Sequence, residues 1–468
     1  AARTGMRMRR WDFVAAYLQG ELVEGEVVYC LPPPGYGRVG KDGQQMICKV
    51  VKPVYGMAQA GRRWQRSLFP WLKEFGFTQV STDSSVFTLT REVDTPSGKR
   101  TEHLHLGVYV DDLCILYGSD DEHSLYRSFV SALSTKWNVE DEGDVHDLLG
   151  IEFDTAEEGY ITLHQRAYIE KLSADFFMDG VPSSSQSNKP PCDHTLPLLV
   201  VEAMSQPVPD SSPDTRRYQS LVGALLYCSG NTRPDVAFAV GLLCRAMSRP
   251  TPELYDAGLR VLGYLYRTRH LGLRYGLDSK PLTGQCDSDW GTRHSTSGWQ
   301  FTYSQAVISW GSKKQASVAL SSCEAEIMAA SEAAKEAIFL SRFLSELGHG
   351  STEPVEMGMD NQAAIAISYN PEMHSRTKHI DRRHFFVREC VENMQLRVPF
   401  VKTVDNLADF FTKPLPKVQF FKMRDALMNV PPRLREPPTV AKCTACGDTG
   451  AVKGEPCWHC SPTDPKCS

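Results

Sequence analysis

The sequence predicts a multidomain protein of mixed α+β and α/β class, and three observations carry that prediction. Strand-like runs mix with helical segments over residues 12–178, and residues 216–270 are helical throughout. After them, about 130 residues follow a regular α/β rhythm. At 468 residues the chain is long enough for two or three domains, each with its own core.

Taken in order, the runs VVYCL, HLHLGVYV, LCILY and YITLH are rich in β-branched and aromatic residues and read as strands. Helical spacing covers 57–75 and 122–137. Residues 179–215, with SSSQSNKPP and QPVPDSSPD, are rich in Pro and Ser and read as a linker. YQSLVGALLYC and YDAGLRVLGYLYRT give helices within 216–278. Strand runs at 298–304 and 306–310 then precede a long helix over 322–347. Ser321 with Glu324 three residues on forms a capping-box pattern at its start, and Gly348 stops it. A strand at 355–359, helices at 361–369 and 381–394, a strand at 396–402 and a helix at 405–412 follow. From Pro431 the chain is Pro- and Cys-rich, and no internal repeat is present.

Composition narrows the function classes. Apolar content of 41% and charge of 23% are those of an ordinary globular protein. A net charge of −5 excludes a wholly basic nucleic-acid coat but leaves room for a local basic groove. No apolar run approaches the roughly 18–20 residues that span a bilayer, so no membrane partner is expected. The chain begins with Ala and nothing resembles a signal peptide, so we expect it to start within a longer product. Nine of the 14 cysteines, from Cys30 to Cys390, are scattered singly among apolar residues and read as reduced, buried thiols of an intracellular protein.

Candidate chemistry begins with LGVYVDDLCILYG, residues 106–118, where two acids interrupt an apolar run. Burying an unpaired carboxylate costs several kcal/mol or forces it to take up a proton. Read structurally, Asp111-Asp112 is the turn of a hairpin. Read chemically, the turn presents carboxylates to a cation. Asp12, at the end of the run WDF, supplies a carboxylate from a second strand. Carboxylates on separate strands suit two Mg²⁺ ions roughly 3.5–4 Å apart, the arrangement of phosphoryl transfer. Taken singly, each Asp reads as structural.

Longer motifs settle the resemblance. Asp12 with Ala16-Tyr17, then PPPGYG, VKPVYGMAQAGRRW, YVDD, LLGIEF and NTRPDVAFAV occur in order. Together they resemble the reverse transcriptase of copia-type long-terminal-repeat retrotransposons. CDSDW, STSG, ISWGSKKQ, ALSSCEAEIMAASEAAKEA, MDNQAAIA, HSRTKHID and LADFFTKPL resemble that family's ribonuclease H domain. The resemblance covers residues 1 to about 425. It implies a right-hand polymerase palm and thumb over 1–178, a linker at 179–215, a helical connection over 216–278 and a ribonuclease H-like α/β domain over 279–425. Only eleven residues precede Asp12, so the polymerase fingers are expected to be truncated.

Carried over residue by residue, Asp12, Asp111 and Asp112 fall on the polymerase triad, with Asp12 and Asp111 the principal Mg²⁺ ligands. Tyr17 falls where an aromatic ring packs on the nucleotide sugar, and Gln59 where nucleotide and template are contacted. Tyr109 of YVDD faces substrate, and Leu149-Gly150-Ile151 fall on the hairpin that grips the primer. Arg62 and Arg63 read equally as phosphate contacts or as a solvated helix face.

Asp287, Glu326, Asp360 and Asp409 fall on the hydrolytic set, also a two-Mg²⁺ site. Four carboxylates on strand, helix, strand and helix can converge on one point. Asp289 competes with Asp287, Glu324 with Glu326, and Asp405 with Asp409. His374, His379 and His384, with Arg376 and Lys378, read either as aids to product release or as a basic helix start. The implied partners are an RNA template, a DNA primer, an RNA–DNA hybrid and dNTPs. The implied setting is intracellular, in cytoplasmic virus-like particles or the nucleus. Three departures from the family pattern (Glu140 in WNVEDEG, AQAG, and a short loop between CDSDW and STSG) weigh more against polymerisation than against cleavage.

The remaining five cysteines crowd the tail. Cys443, Cys446, Cys457 and Cys460 follow a C-x₂-C-x₁₀-C-x₂-C spacing, which suits one tetrahedral Zn²⁺ in a zinc-ribbon-like tail over 431–468, with His459 and Cys467 to spare. This tail lies outside the resemblance. Three readings follow: a bifunctional polymerase and ribonuclease H, a ribonuclease H alone, or a decayed remnant that binds nucleic acid or protein.

Overall fold

In the computed structural model the described residues are 1–96, 98–177, 180–181, 189–208, 213–290, 294–370, 381–435, 451–452 and 455–456. Cys443, Cys446, Cys457, Cys460, His374 and His379 lie outside them, as does the side chain of His384. Residues 1–168 with 272–412 form one compact unit, and residues 169–271 with 413–468 form another.

The first unit opens with strand β1 (Arg7–Phe13), helix α1 (Ala16–Gln19), a small ladder of β2 (Tyr29–Cys30) and β3 (Cys48–Lys49), and helix α2 (Ala60–Phe75). Strands β4 (Thr78–Gln79), β5 (Val86–Thr95), β6 (Gly98–Tyr109) and β7 (Asp112–Tyr117) follow, then helix α3 (Leu125–Lys136) and strand β8 (Val139–Asp144). Six of these strands form an antiparallel sheet in the order β4-β5-β6-β7-β1-β8. Helix α2 covers it because Ala60, Trp64, Leu68 and Leu72 recur every fourth residue, and all four are buried. Phe13, Trp64 and Trp137 meet edge-to-face in this core, with ring centroids 4.9–6.4 Å apart.

One turn differs from its expected place. Strand β6 ends at Tyr109 and β7 begins at Asp112, so the connection is Val110-Asp111 and not Asp111-Asp112. The register is the physical reason. Asp112 pairs with Tyr109 on one side and with Asp12 on the other, which draws it into the ladder. The turn closes only with Val110 at φ 58°, a left-handed conformation that is strained for a β-branched residue.

A second antiparallel sheet contains β9 (Asp147–Leu148), β10 (Ile151–Asp154) and β11 (Tyr160–His164), and is completed later by β12 (Leu273–Gly276). From β11 the chain passes through α4 (Arg166–Phe176), α5 (Thr195–Ser205), α6 (Pro213–Asn231), α7 (Ala237–Arg245) and α8 (Pro252–Arg267). Helix α5 corrects the expected linker at 179–215: TLPLLVVEAMS buries Leu196, Val200 and Ala203. Pro and Ser on both sides hide that apolar period.

In the second unit the NTRPDV segment has a structural role. Arg233 and Asp235 form a fully buried ion pair at 2.7 Å. Tyr264 Oη donates to Asp235 at 2.6 Å, and Arg233 donates to the Thr268 carbonyl and hydroxyl. A buried pair this well hydrogen-bonded strongly penalises loss of either partner.

The third sheet belongs to the first unit. Its strands are β13 (Thr283–Ser288), β14 (Thr296–Tyr303), β15 (Ala306–Lys314), β16 (Val355–Gly358) and β17 (Leu396–Arg397), in the order β15-β14-β13-β16-β17. The first three are antiparallel, and β13, β16 and β17 are parallel. Helix α9 (Ser322–Glu346) packs on this sheet through Ala330, Ala333, Ala334 and Ala337, small side chains that let it lie close. Ser321 Oγ accepts from the Glu324 amide at 3.1 Å, and the Glu324 carboxylate accepts from the Leu320 amide at 2.6 Å. At the other end Gly348, at φ 80°, takes the left-handed position of a Schellman motif, with the His349 amide on the Leu344 carbonyl. Helices α10 (Gln362–Tyr369) and α11 (Asp381–Glu392) follow, with α12 (Lys417–Leu427) in the second unit. The expected helix at 405–412 is instead a pair of 3₁₀ turns, Thr403–Asp405 and Leu407–Phe411. Asn406 breaks the run because its side chain caps the second turn through the Ala408 amide.

Candidate functional site

Asp287, Glu326 and Asp360 meet at the C-terminal ends of the interior strands β13 and β16 of the third sheet. Their carboxylate oxygens lie within 4.8 Å of one another, the one group of three or more acidic, His or Cys side chains this close among the described residues. Asp287 sits near the end of β13, Glu326 in the second turn of α9, and Asp360 just beyond β16. Asp287 and Glu326 are buried. The Ser288 amide donates to Glu326 Oε1 at 3.3 Å, while the buried Oε2 has no hydrogen-bond partner. Burial, followed by the Asp287 and Asp360 charges, pushes the Glu326 carboxyl up to about 9. An orphaned carboxylate oxygen among like charges is what a divalent cation corrects, so the donor set fits Mg²⁺.

The competing acids have other work. The Asp289 carboxylate accepts from the Thr296 amide across the β13–β14 hairpin, and Glu324 caps α9. Asp405 is exposed, whereas Asp409 is buried in the second 3₁₀ turn. Asp409 is not one of the three clustered ligands. Its segment is tied to β13: Gln285 Oε1 accepts from the Leu407 amide at 2.7 Å, Asn406 donates to the Cys286 carbonyl, and the Thr412 hydroxyl donates to Asp287.

Gly298, opposite Asp287, makes that approach possible. A Cβ there would stand 2.6 Å from Thr412 Cγ2 and 2.9 Å from the Ala408 carbonyl oxygen. Gly298→Ala should therefore displace the 408–412 segment and lower stability by about 2 kcal/mol, read by thermal unfolding.

Of the acids Asp12, Asp111 and Asp112, Asp12 and Asp112 lie side by side in the first sheet and Asp111 stands in the adjoining turn. Asp12 stands between Asp112 on β7 and Glu140 on β8, and the Phe13 amide bonds the Asp111 carbonyl at 2.9 Å. Like charges directly opposite one another destabilise a sheet unless a cation joins them. Burial, then Asp111, Glu142 and Asp112, hold the Asp12 carboxyl above its ordinary range. Asp112 is held by Arg10 at 2.7 Å, and Arg10 also reaches Glu142 and Asp147.

Around this row the other expected residues are spread out. Tyr17 lies against Tyr55, ring centroids 4.5 Å apart. Gln59 is the residue before α2 and donates to Glu26, which also pairs with Arg63. Tyr109 is exposed at the end of β6. Leu149 and Gly150, both at positive φ, form the two-residue turn before Ile151 that joins β9 to β10.

A family model described as reverse transcriptase (RNA-dependent DNA polymerase) matches residues 1–186. The retrovirus-related Pol polyprotein from transposon TNT 1-94 of Nicotiana tabacum is 33% identical over 427 residues, 90% of this chain and 31% of that protein. The putative transposon Ty5-1 protein of Saccharomyces cerevisiae is 30% identical over 331 residues, 69% of this chain and 99% of that protein. The chain belongs to the reverse transcriptase family of retrotransposon Pol polyproteins. The resemblance to copia-type elements is thereby borne out. The chain spans about 31% of the tobacco relative's length. Among solved structures, a foamy viral protease–reverse transcriptase in complex with RNA/DNA hybrid aligns with 88% of this chain and 45% of its own, at TM-score 0.44 and 10% identity.

In this member of the family, one residue beside Asp111 escaped sequence reasoning. The Trp64 indole donates to the Val110 carbonyl at 2.6 Å and so holds the strained turn that carries Asp111. A tryptophan on the buried face of an amphipathic helix reads as core, and only the register of the hairpin reveals the bond. Trp64→Phe keeps an aromatic ring but removes the donor. Primer extension should fall roughly tenfold while hybrid cleavage is unchanged, measured as the ratio of the two rates.

Proposed function

We propose that this chain is an RNA-directed DNA polymerase with ribonuclease H activity, each site working by two-metal phosphoryl transfer. The observation that carries the hydrolytic half is the Asp287–Glu326–Asp360 cluster with its orphaned Glu326 oxygen. Family membership supports the polymerase half, with Asp12 and Asp111 as its metal ligands. The third sheet with α9 then serves as the ribonuclease H-like domain, and the first sheet as the polymerase palm. The substrates on this reading are an RNA template, a DNA primer, dNTPs and the resulting hybrid.

At the hydrolytic site Asp287, Glu326 and Asp360 would hold Mg²⁺, and Asp409, buried on the neighbouring segment, would complete the set. The chemistry that Mg²⁺ held there would supply is activation of the attacking oxygen and stabilisation of the leaving one. The residues themselves govern loading. Burial and the Asp287 and Asp360 charges favour the protonated Glu326 carboxyl, which must release its proton to become a ligand, while Thr412 fixes the Asp287 carboxylate by hydrogen bonding.

A second reading, cleavage without polymerisation, is favoured by one observation: Asp112 is engaged by Arg10, and Asp12 and Asp111 are not part of a comparable cluster. Purified chain given Mg²⁺, a labelled RNA–DNA hybrid and, separately, a primed RNA template with dNTPs distinguishes the two. Cutting with extension supports the first reading, cutting alone the second. Neither activity rejects both.

A further inference from the structure

Strands β2 and β3 place Cys30 directly opposite Cys48. Both side chains are exposed, against the expectation of buried thiols. Directly opposed residues on an antiparallel ladder point to one face with Cα atoms roughly 4.5–5.5 Å apart. That separation lies within the roughly 4.4–6.8 Å that a disulfide spans. The enclosed loop, residues 31–47, doubles back on itself through the Met46 amide to the Arg38 carbonyl and a Val39–Gln45 bridge.

Other described cysteines are poorer candidates. Cys114, Cys192, Cys228, Cys286 and Cys390 are buried, and burial pushes the Cys114 thiol up to about 11 and the Cys192 and Cys228 thiols up to about 12. Thiolate is the attacking species, so these thiols react slowly.

We propose that Cys30 and Cys48 are a modification site, a dithiol that low-molecular-weight disulfides such as glutathione disulfide oxidise to a reversible cross-strand bridge. One cysteine thiolate attacks a sulfur of glutathione disulfide, forming a mixed disulfide and expelling one glutathione thiolate. The thiolate of the opposite cysteine then attacks the protein sulfur of that mixed disulfide, closing the Cys30–Cys48 bond and expelling the second glutathione. Two electrons pass to glutathione disulfide, and the two cysteine protons end on the two glutathione thiols. The bridge closes residues 31–47 into a covalent ring. Exposed bridges of this kind are readily reduced, so the ring reopens when reduced glutathione dominates.

The test uses the full chain, equilibrated with reduced or oxidised glutathione, alkylated, and digested with trypsin without reduction. Cleavage after Arg10, Arg38, Lys41 and Lys49 puts Cys30 and Cys48 on separate peptides. The expected result is a linked pair, Trp11–Arg38 with Asp42–Lys49, formed in oxidised glutathione. It should be lost on dithiothreitol treatment and absent from Cys30→Ser and Cys48→Ser. Glutathione adducts on both cysteines without the linked pair would overturn the proposal. Linkage of either cysteine to a tail cysteine would overturn it equally. Because both side chains are exposed, the reduced Ser variants should unfold at the wild-type temperature, and the wild-type peptide map stands whatever they do.

Discussion

Glu326→Gln is expected to abolish hybrid cleavage and at the same time to make the metal-free protein more stable. The site gathers three carboxylates, two of them buried, and burial with the Asp287 and Asp360 charges lifts Glu326 from its ordinary 4.5 to about 9. A carboxyl whose folded value is raised contributes stability that is fully present below its unfolded value and is lost as pH rises through the folded one. Metal-free wild type should therefore lose stability between about pH 4.5 and pH 9. Gln has no proton to lose, so the variant should show a flatter profile. At pH 8 it should be more stable than wild type by about 1–3 kcal/mol, seen as a higher unfolding temperature. Mg²⁺ reverses the order, because it stabilises only the chain that keeps the carboxylate. Below pH 9, Mg²⁺ affinity of the wild type should rise up to about tenfold per pH unit as Glu326 releases its proton. Calorimetric titration in buffers of different ionisation enthalpy reads that proton. A variant whose stability follows pH as steeply as wild type would sink the assignment.

The second large effect concerns Asp111, in the turn beside the acidic row of the first sheet. Asp111→Asn should reduce primer extension by about 10³-fold or more while leaving hybrid cleavage intact, because it removes a proposed principal ligand without disturbing the third sheet. Asp112→Asn should cost only about tenfold, since Asp112 is already paired with Arg10 at 2.7 Å and acts by positioning. Freed from Asp112, Arg10 retains Glu142 and Asp147 as partners, so the strand should keep its register. Steady-state extension by the two variants on one primed RNA template compares them directly. Equal losses would mean that the Val110-Asp111 turn does not divide the two roles as described.

How much of this was legible in the sequence depended on whether the signal was local. Helix α9 was legible with both ends because its capping box, its alanine stripe and Gly348 all act within a few residues. The same capping box identified Glu324 as structural and left Glu326 for chemistry. Asp287 over Asp289 was open, because period 2 places both on one strand face; the Thr296 amide across the hairpin decides it. The Val110-Asp111 turn was misplaced by one residue because composition does not encode cross-strand register. The 3₁₀ turns at 403–411 were misread as a helix, since the tethers that shape them come from Gln285 and Cys286 more than a hundred residues away. Trp64 and the exposed Cys30–Cys48 pair were hidden for the same reason: each acquires its meaning from a distant partner, the Val110 turn for Trp64 and the facing strand for each cysteine.

The central claim is that Asp287, Glu326 and Asp360 cut the RNA strand of an RNA–DNA hybrid. The most direct measurement is cleavage of end-labelled RNA, presented in a hybrid and in an RNA duplex, by wild type, Glu326→Gln and Asp111→Asn in Mg²⁺. The expected result is cutting of the hybrid alone, by wild type and Asp111→Asn equally, with none by Glu326→Gln. Cutting that survives Glu326→Gln, or a wild-type chain that leaves the hybrid intact, would contradict it.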